Sequence, residues 1–319
     1  MPSFAAIVVD RFGGPEVLAS ADVEAWPPGP GKVAIEVELA SVTFVETQLR
    51  AGRPPNPAMM PQLPWIPGNG VAGTVSALGE GVPEELLGTW VVSTTGGAGG
   101  YASRAEADAA AAIPVPDGLP LESAAALLAD GRTATMLADV AAIAPGERVL
   151  VEAAAGGVGS LLVQLASGAG AEVVAAAGGE RKLEVARERG AAETVDYSRP
   201  GWEKSVEPLD VVFDGVGGEL GAAARARLRP GGRYLPFGAA SGSLGRVDPD
   251  DAAASEITVV SPPPPTSAQQ RDLTERAFAQ ALAGTLRPLI GQRFALRKAA
   301  DAHRAIESRE TIGKTLLVP

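Results

Sequence analysis

Residues 149–160 read VLVEAAAGGVGS. A short apolar run that enters a glycine turn and continues as an amphipathic segment has few ways to fold. It makes a buried strand, a tight turn and the start of a helix. The turn lets backbone approach an anion closely, and the helix end offers free N–H groups and a positive dipole end. This is the dinucleotide-binding arrangement, with Ala154 where the first glycine of the usual pattern stands. The predicted cradle for a pyrophosphate is Ala155, Gly156, Gly157 and Val158.

The rest of the composition narrows the partners. With 319 residues, two domains are expected. An apolar fraction of 46% fits a globular chain. No apolar run approaches the roughly 20 residues of a membrane span. The strand-like Phe4–Val9 follows no basic region, so no signal peptide is expected. A formal charge of -11 argues against nucleic acid as a partner. The chain has no cysteine, which excludes disulfides and thiolate metal sites and fits the cytoplasm. Its one histidine, His303, leaves a zinc site almost no ligands. His303 itself reads as an exposed residue on a surface helix.

The character of the chain changes near Leu121. Before it lie short strands among Gly and Pro: the alternating Val33–Leu39, then Gly68–Val75 and Thr89–Val92. After it strands and helices alternate, as βαβ units do. Helices are predicted at Leu121–Leu128, Thr133–Ile143, Gly159–Ser167, Lys182–Glu188, Glu219–Leu228 and Ser267–Ala283. Strands are predicted at Val149–Val151, Glu172–Ala176, Val211–Asp214, Arg233–Phe237 and Ile257–Val260. Pro262–Pro265 reads as a stiff connector. The last strand, Thr315–Val318, is expected to rejoin the first domain.

Five motifs in order carry a family resemblance: Phe12–Leu18 (FGGPEVL), Pro67–Gly73 (PGNGVAG), Ala154–Gly159 (AAGGVG), Phe213–Gly218 (FDGVGG) and Gly313–Pro319 (GKTLLVP). Together they resemble the zinc-independent quinone oxidoreductases of the medium-chain dehydrogenase/reductase superfamily. The resemblance implies an α/β fold: a Rossmann doubly wound parallel sheet at 123–284 and a discontinuous GroES-like β-rich domain at 1–122 and 285–319. It also implies an active site in the cleft between them, NADP(H) as cofactor and a homodimer. Pairing of the edge strand near Ile257–Val260 is a route to that dimer.

Selectivity for NADP(H) has support in the residues themselves. An NAD-selective site has an acid at the end of the second strand; that position here is Ala177, followed by Gly178. Lys182 and Tyr197 match the family's 2′-phosphate pair, with Glu180 the nearby opposing charge. By the same resemblance Thr133 lies near the nicotinamide. Gly217, Phe237 and Gly238 fall at strand ends, where such sheets bind ligands. Lys314 either adds charge near the cofactor or ends an exposed strand.

The substrate loop departs from the family. Thr43 and Gln48 stand where relatives carry Asn and Tyr, and Gly70 where many carry an acid. Thr43, Gln48 and Thr133 are the candidate catalytic residues, and Trp65 and Tyr101 the candidate pocket aromatics. For Trp65, packing within the domain is the alternative. Glu46 and Arg50, four apart on a helix, read as a surface ion pair. The implied acceptor is a small quinone or α,β-unsaturated carbonyl compound. Two other readings are a methyltransferase, which would usually place an acid after the second strand, and a non-catalytic NADPH-binding sensor or structural protein.

Overall fold

The chain's two kinds of apolar pattern build two kinds of sheet. A computed structural model describes residues 3–319. In chain order the first elements are β1 (Ser3–Val8), β2 (Ala19–Glu24), β3 (Lys32–Val42), α1 (Phe44–Arg50), β4 (Gly70–Leu78), β5 (Trp90–Thr94), β6 (Arg104–Asp108), β7 (Ile113–Pro114) and α2 (Leu121–Ala126). Then follow α3 (Arg132–Ala141), β8 (Arg148–Glu152), α4 (Gly157–Gly168), β9 (Glu172–Ala177), α5 (Glu180–Glu188), β10 (Glu193–Asp196), β11 (Leu209–Asp214) and α6 (Gly218–Arg225). The last are β12 (Leu228–Pro236), α7 (Pro249–Ala254), β13 (Thr258–Val259), α8 (Ser267–Leu282), β14 (Ile290–Ala295), α9 (Ala299–Glu307) and β15 (Lys314–Val318).

Two compact units result, residues 1–129 with 289–319, and residues 130–288. Sequence analysis divided the chain at 122/123 and 284/285. The structure keeps α2 with the first unit because it packs on β3 and β4. Leu127–Gly131, expected as helix or link, is a π-helical turn between α2 and α3.

In the first unit, strands pair in the order β14-β15-β3-β4-β5-β7, with β6 also on β3. Along β3, Val33, Ile35, Val37 and Leu39 are buried while Glu36 and Glu38 are exposed, the period of a sheet with one wet face. β15 runs parallel to β14 and antiparallel to β3. Thus the chain's last strand lies inside this sheet. The β1–β2 ribbon is tied on by bridges Ala6–Ala102 and Val9–Trp65.

In the second unit, six parallel strands run in the order β10-β9-β8-β11-β12-β13. The middles of β8, β9 and β11 (149–151, 173–177 and 211–213) are continuous apolar runs, as strands covered on both faces must be. Strand order reverses between β8 and β11, the crevice where open α/β sheets bind ligands. Pro262–Pro265 carries no regular structure between β13 and α8. The predicted helix 219–228 stops at Arg225, because Leu228 already pairs with Leu209. β12 therefore begins five residues before the predicted Arg233, and an irregularity in its pairing absorbs Pro230–Gly232.

Candidate functional site

The predicted nucleotide residues gather at the C-terminal ends of the parallel strands. α4 starts just beyond β8 with Gly156 as its extended N-cap. Helix geometry leaves the N–H groups of Gly157, Val158 and Gly159 without intrahelical acceptors, which is an anion's binding edge. Gly159 is required by contact: a Cβ there would lie 2.3 Å from Ala153 O. The helix start is thereby seated against the turn. Ala153 holds that turn with a left-handed φ of 49°. Asp130 Oδ2 fills the space a Gly157 side chain would take, so a carboxylate also sits near this positive helix end.

Beyond β9, Ala177 is 1% exposed and carries no acid. Tyr197 N–H donates to Ala177 O (3.2 Å), and its ring lies against Gly178. Lys182 is the third residue of α5, half-buried. Glu180, the nearby acid, is paired with Arg187 at 2.6 Å. A different acid is present. Asp196 accepts from Gly179 N–H (3.2 Å) and from Ser198 N–H and Oγ (3.0 and 2.6 Å). The Ser198 hydroxyl, foremost, keeps its carboxyl below the usual range. Asp196 thus pins the turn between Gly178 and Lys182. Its signal in the sequence was Asp-Tyr-Ser, an Asx turn.

At the switch point Gly217, Phe237 and Gly238 surround Asp214. Phe237 N–H and Gly238 N–H both donate to Asp214 O (2.8 and 3.1 Å). Val216 N–H and Gly217 N–H donate to Asp214 Oδ1 (2.8 and 2.6 Å), and Tyr234 Oη donates to Asp214 Oδ2. Glu152, one strand away, is fully buried, and neither carboxyl oxygen has a hydrogen-bond partner. Burial first, then Asp214, pushes its carboxyl up to about 10. Thr133 is the second residue of α3 and half-buried.

In the first unit the loop predicted to meet the substrate is organised by one acid, Glu46. Thr43 is the N-cap of α1, and its N–H donates to Glu46 Oε2 at 2.6 Å. Glu46 also accepts from Asn69 N–H (2.9 Å) and Tyr101 Oη (3.0 Å). It is only 4% exposed. Burial pushes its carboxyl up, while these donors and the charge of Lys314 hold it down; the net shift is upward. Its supposed partner Arg50 is 1% exposed and binds Glu307 and Thr47 O instead. The predicted surface ion pair is therefore two buried contacts, because α9 and the core cover that face of α1.

His303 is likewise not exposed. It is fully buried, with Nε2 2.9 Å from Tyr101 Oη. Burial, then Arg50, lowers its imidazole to about 3. Tyr101 cannot line an open pocket: it is fully buried and its hydroxyl joins Glu46 to His303. Lys314 is 2% exposed, so the exposed strand-end reading fails; its charge falls on Glu46. Gln48 Nε2 donates to Thr47 Oγ1 (3.0 Å). Trp65 packs in the core at 5% exposure, yet borders a cavity of about 910 Å³ with Leu49, Met59, Met60 and Ile66. Among the described residues, no three His, Cys, Asp or Glu side chains are grouped to hold a metal ion. No helix among them is long and apolar enough to cross a membrane.

Two protein-family models match the chain. They are described as alcohol dehydrogenase GroES-like domain, over residues 29–117, and zinc-binding dehydrogenase, over residues 189–317. The chain is 32% identical to the quinone oxidoreductase of Pseudomonas aeruginosa, covering 97% of each chain. It is 31% identical to the 2-haloacrylate reductase of a Burkholderia species, covering 98% of each. The structure of Escherichia coli quinone oxidoreductase complexed with NADPH matches with a TM-score of 0.91 at 28% identity, covering 99% of this chain and all of that one.

Proposed function

The chain belongs to the quinone oxidoreductase family of the medium-chain dehydrogenase/reductase superfamily, and from that premise we propose an NADPH-dependent reductase of a small quinone or α,β-unsaturated carbonyl compound. The carrying observation is the switch point of the parallel sheet: a glycine-built helix start beside β8, with no acid at the end of β9. A dinucleotide fits the residues present there. Gly156, Gly157 and Val158, with Ala155 behind them, hold the pyrophosphate through backbone N–H groups. Lys182 and Tyr197 take the 2′-phosphate, for which Ala177 and Gly178 leave room. Gly217, Phe237 and Gly238 border the nicotinamide.

When bound, NADPH supplies a hydride to the electron-poor acceptor. The chain's task is to align that acceptor and meet the negative charge that develops on its oxygen. Thr43 and Gln48 supply hydroxyl and amide donors for it. We read the reaction as zinc-independent, because the chain has no cysteine and its one histidine is committed to Tyr101. The relatives include both a quinone oxidoreductase and a 2-haloacrylate reductase, which supports either acceptor class. We place the enzyme in the cytoplasm as a homodimer, which light scattering after gel filtration tests.

The deciding experiment follows NADPH and NADH oxidation with 1,4-benzoquinone, an enone and 2-chloroacrylate, with and without a chelator. Expected is turnover that prefers NADPH and ignores the chelator. Loss of that preference in Lys182→Ala would support the 2′-phosphate site. Tight NADPH binding with no turnover on any acceptor would instead favour a binding protein. Turnover abolished by the chelator would overturn the zinc-free reading.

A further inference from the structure

The pair Glu152 and Asp214 has no place in hydride transfer, yet it sits beneath the loops assigned to the nucleotide. β8 and β11 are in register, Val151 beside Phe213. One step on, Glu152 and Asp214 end the two strands that flank the switch point. Neighbouring strands are about 4.8 Å apart, so their carboxyl groups are close neighbours. Asp214 already accepts three hydrogen bonds, from Val216 N–H, Gly217 N–H and Tyr234 Oη, the pattern of a carboxylate. Glu152 is fully buried, and no donor reaches either of its oxygens. A charged carboxylate cannot persist in that setting, whereas a neutral acid can.

We propose that Glu152 is a protonated acid that donates to Asp214, so that the pair carries a single negative charge and holds the nucleotide-side loops in place. It is a positioning residue, and the proposal rests on the nucleotide reading given above. Its other neighbours do not supply the missing partner. The β9 residue paired with Glu152 is Ala176, which is apolar. On β12 Tyr234 Oη donates its hydrogen bond to Asp214, and burial with that bond raises its own phenol. Arg225 acts on Tyr234. Val216 N–H opposes the shift at Glu152 only weakly, because it is bonded to Asp214 Oδ1. What Asp214 holds is the loop pair. Gly217 is packed against Ser243 O, and a Cβ on Gly245 would fall 2.1 Å from Tyr234 Oη and 2.3 Å from Asp214 Oδ2. Loops 215–218 and 238–245 therefore close over this one acid. A second negative charge there would repel Asp214 and the bound pyrophosphate together, so nucleotide affinity should fall where Glu152 ionises.

The test uses the full chain and its Glu152→Gln variant, which keeps a neutral donor. Infrared difference spectra of the nucleotide-free proteins at about pH 8 are expected to show a protonated carboxylic acid in the wild type, lost in E152Q. NADPH affinity by fluorescence is then followed upward in pH. The wild type should lose about tenfold per pH unit once Glu152 ionises, and E152Q should lack that component. A wild type without the protonated-acid band overturns the proposal, as do superimposable affinity profiles. Should neither protein bind NADPH at any pH, the nucleotide reading fails and with it the positioning role. The infrared band would still decide where the proton is. If E152Q does not fold, Glu152→Met supplies the same spectral comparison.

Discussion

Each unit buries a glutamate near its proposed working surface, and the two are stabilised in opposite ways. Glu46 is surrounded by donors: two backbone N–H groups, the Tyr101 hydroxyl and, in the field, Lys314. Glu152 faces an acceptor, Asp214, and neither of its oxygens has a hydrogen-bond partner. The first arrangement offers a carboxylate donors that oppose the upward push of burial, and ties three chain segments to one side chain. The second is built for a carboxylic acid. Burial alone does not set a group's charge; the polarity of what faces it does.

A single isosteric exchange separates the two. Glu46→Gln puts an NH2 where one oxygen accepted a hydrogen bond and leaves Lys314 with less countercharge. Unfolding free energy should drop by about 3 kcal/mol, as when hydrogen bonds to a buried charged group are lost. The Thr43 end of α1 should loosen with it, which chemical denaturation and amide exchange would read. A Glu46→Gln protein as stable as the wild type would erase the contrast.

Glu152→Gln should have the reverse effect, and one that grows with pH. Below the unfolded value of about 4.3 both states hold the proton. Between there and the folded value of about 10 only the folded state does. Folding stability therefore falls as pH rises, by up to about 1.4 kcal/mol per unit. The variant lacks this loss. It should gain on the wild type by about 2–3 kcal/mol between pH 7 and 9, as measured by urea midpoints at each pH.

His303 sharpens the comparison from the acid side. Its folded value of about 3 lies below the unfolded one, near 6.5. Its stabilisation is complete above about pH 6.5 and declines as pH falls toward 3. Between pH 6.5 and 5.5 the loss should be about 1 kcal/mol, and His303→Gln should show a flatter profile. The smallest effect belongs to the exposed pair Arg276–Asp139 at 2.8 Å. Arg276→Ala should change stability by less than about 1 kcal/mol, and less still in high salt.

How much of this was legible in the chain differs between the units. The parallel sheet announced itself through Val149–Val151, Glu172–Ala176 and the glycine turn, because buried parallel strands must be continuously apolar and their turns need glycine. The residues proposed for the nucleotide are spaced by that local geometry, so Gly178, Lys182 and Tyr197 fall on one stretch beyond β9. The first unit's site depends on residues far apart in sequence. His303 looked exposed because α9 carries charge around it; its burial comes from a tyrosine some two hundred positions earlier. Glu46 and Arg50 sat at helical spacing, but their partners Asn69, Tyr101 and Glu307 come from other segments. Glu152 and Asp214 do leave a signal, an acid closing an otherwise apolar strand, but the same pattern fits an exposed strand end, and only the fold shows both buried.

The place of β15 inside the first sheet has a bearing on how the protein is made. Residues 130–288 form an uninterrupted unit whose strands meet partners from within the same stretch. They can fold as soon as that stretch clears the ribosome. The first sheet must wait: until Lys314–Val318 emerges, β3 lacks one neighbour and β14 has none. The portion synthesised first is thus completed last, with a strand edge left open until then.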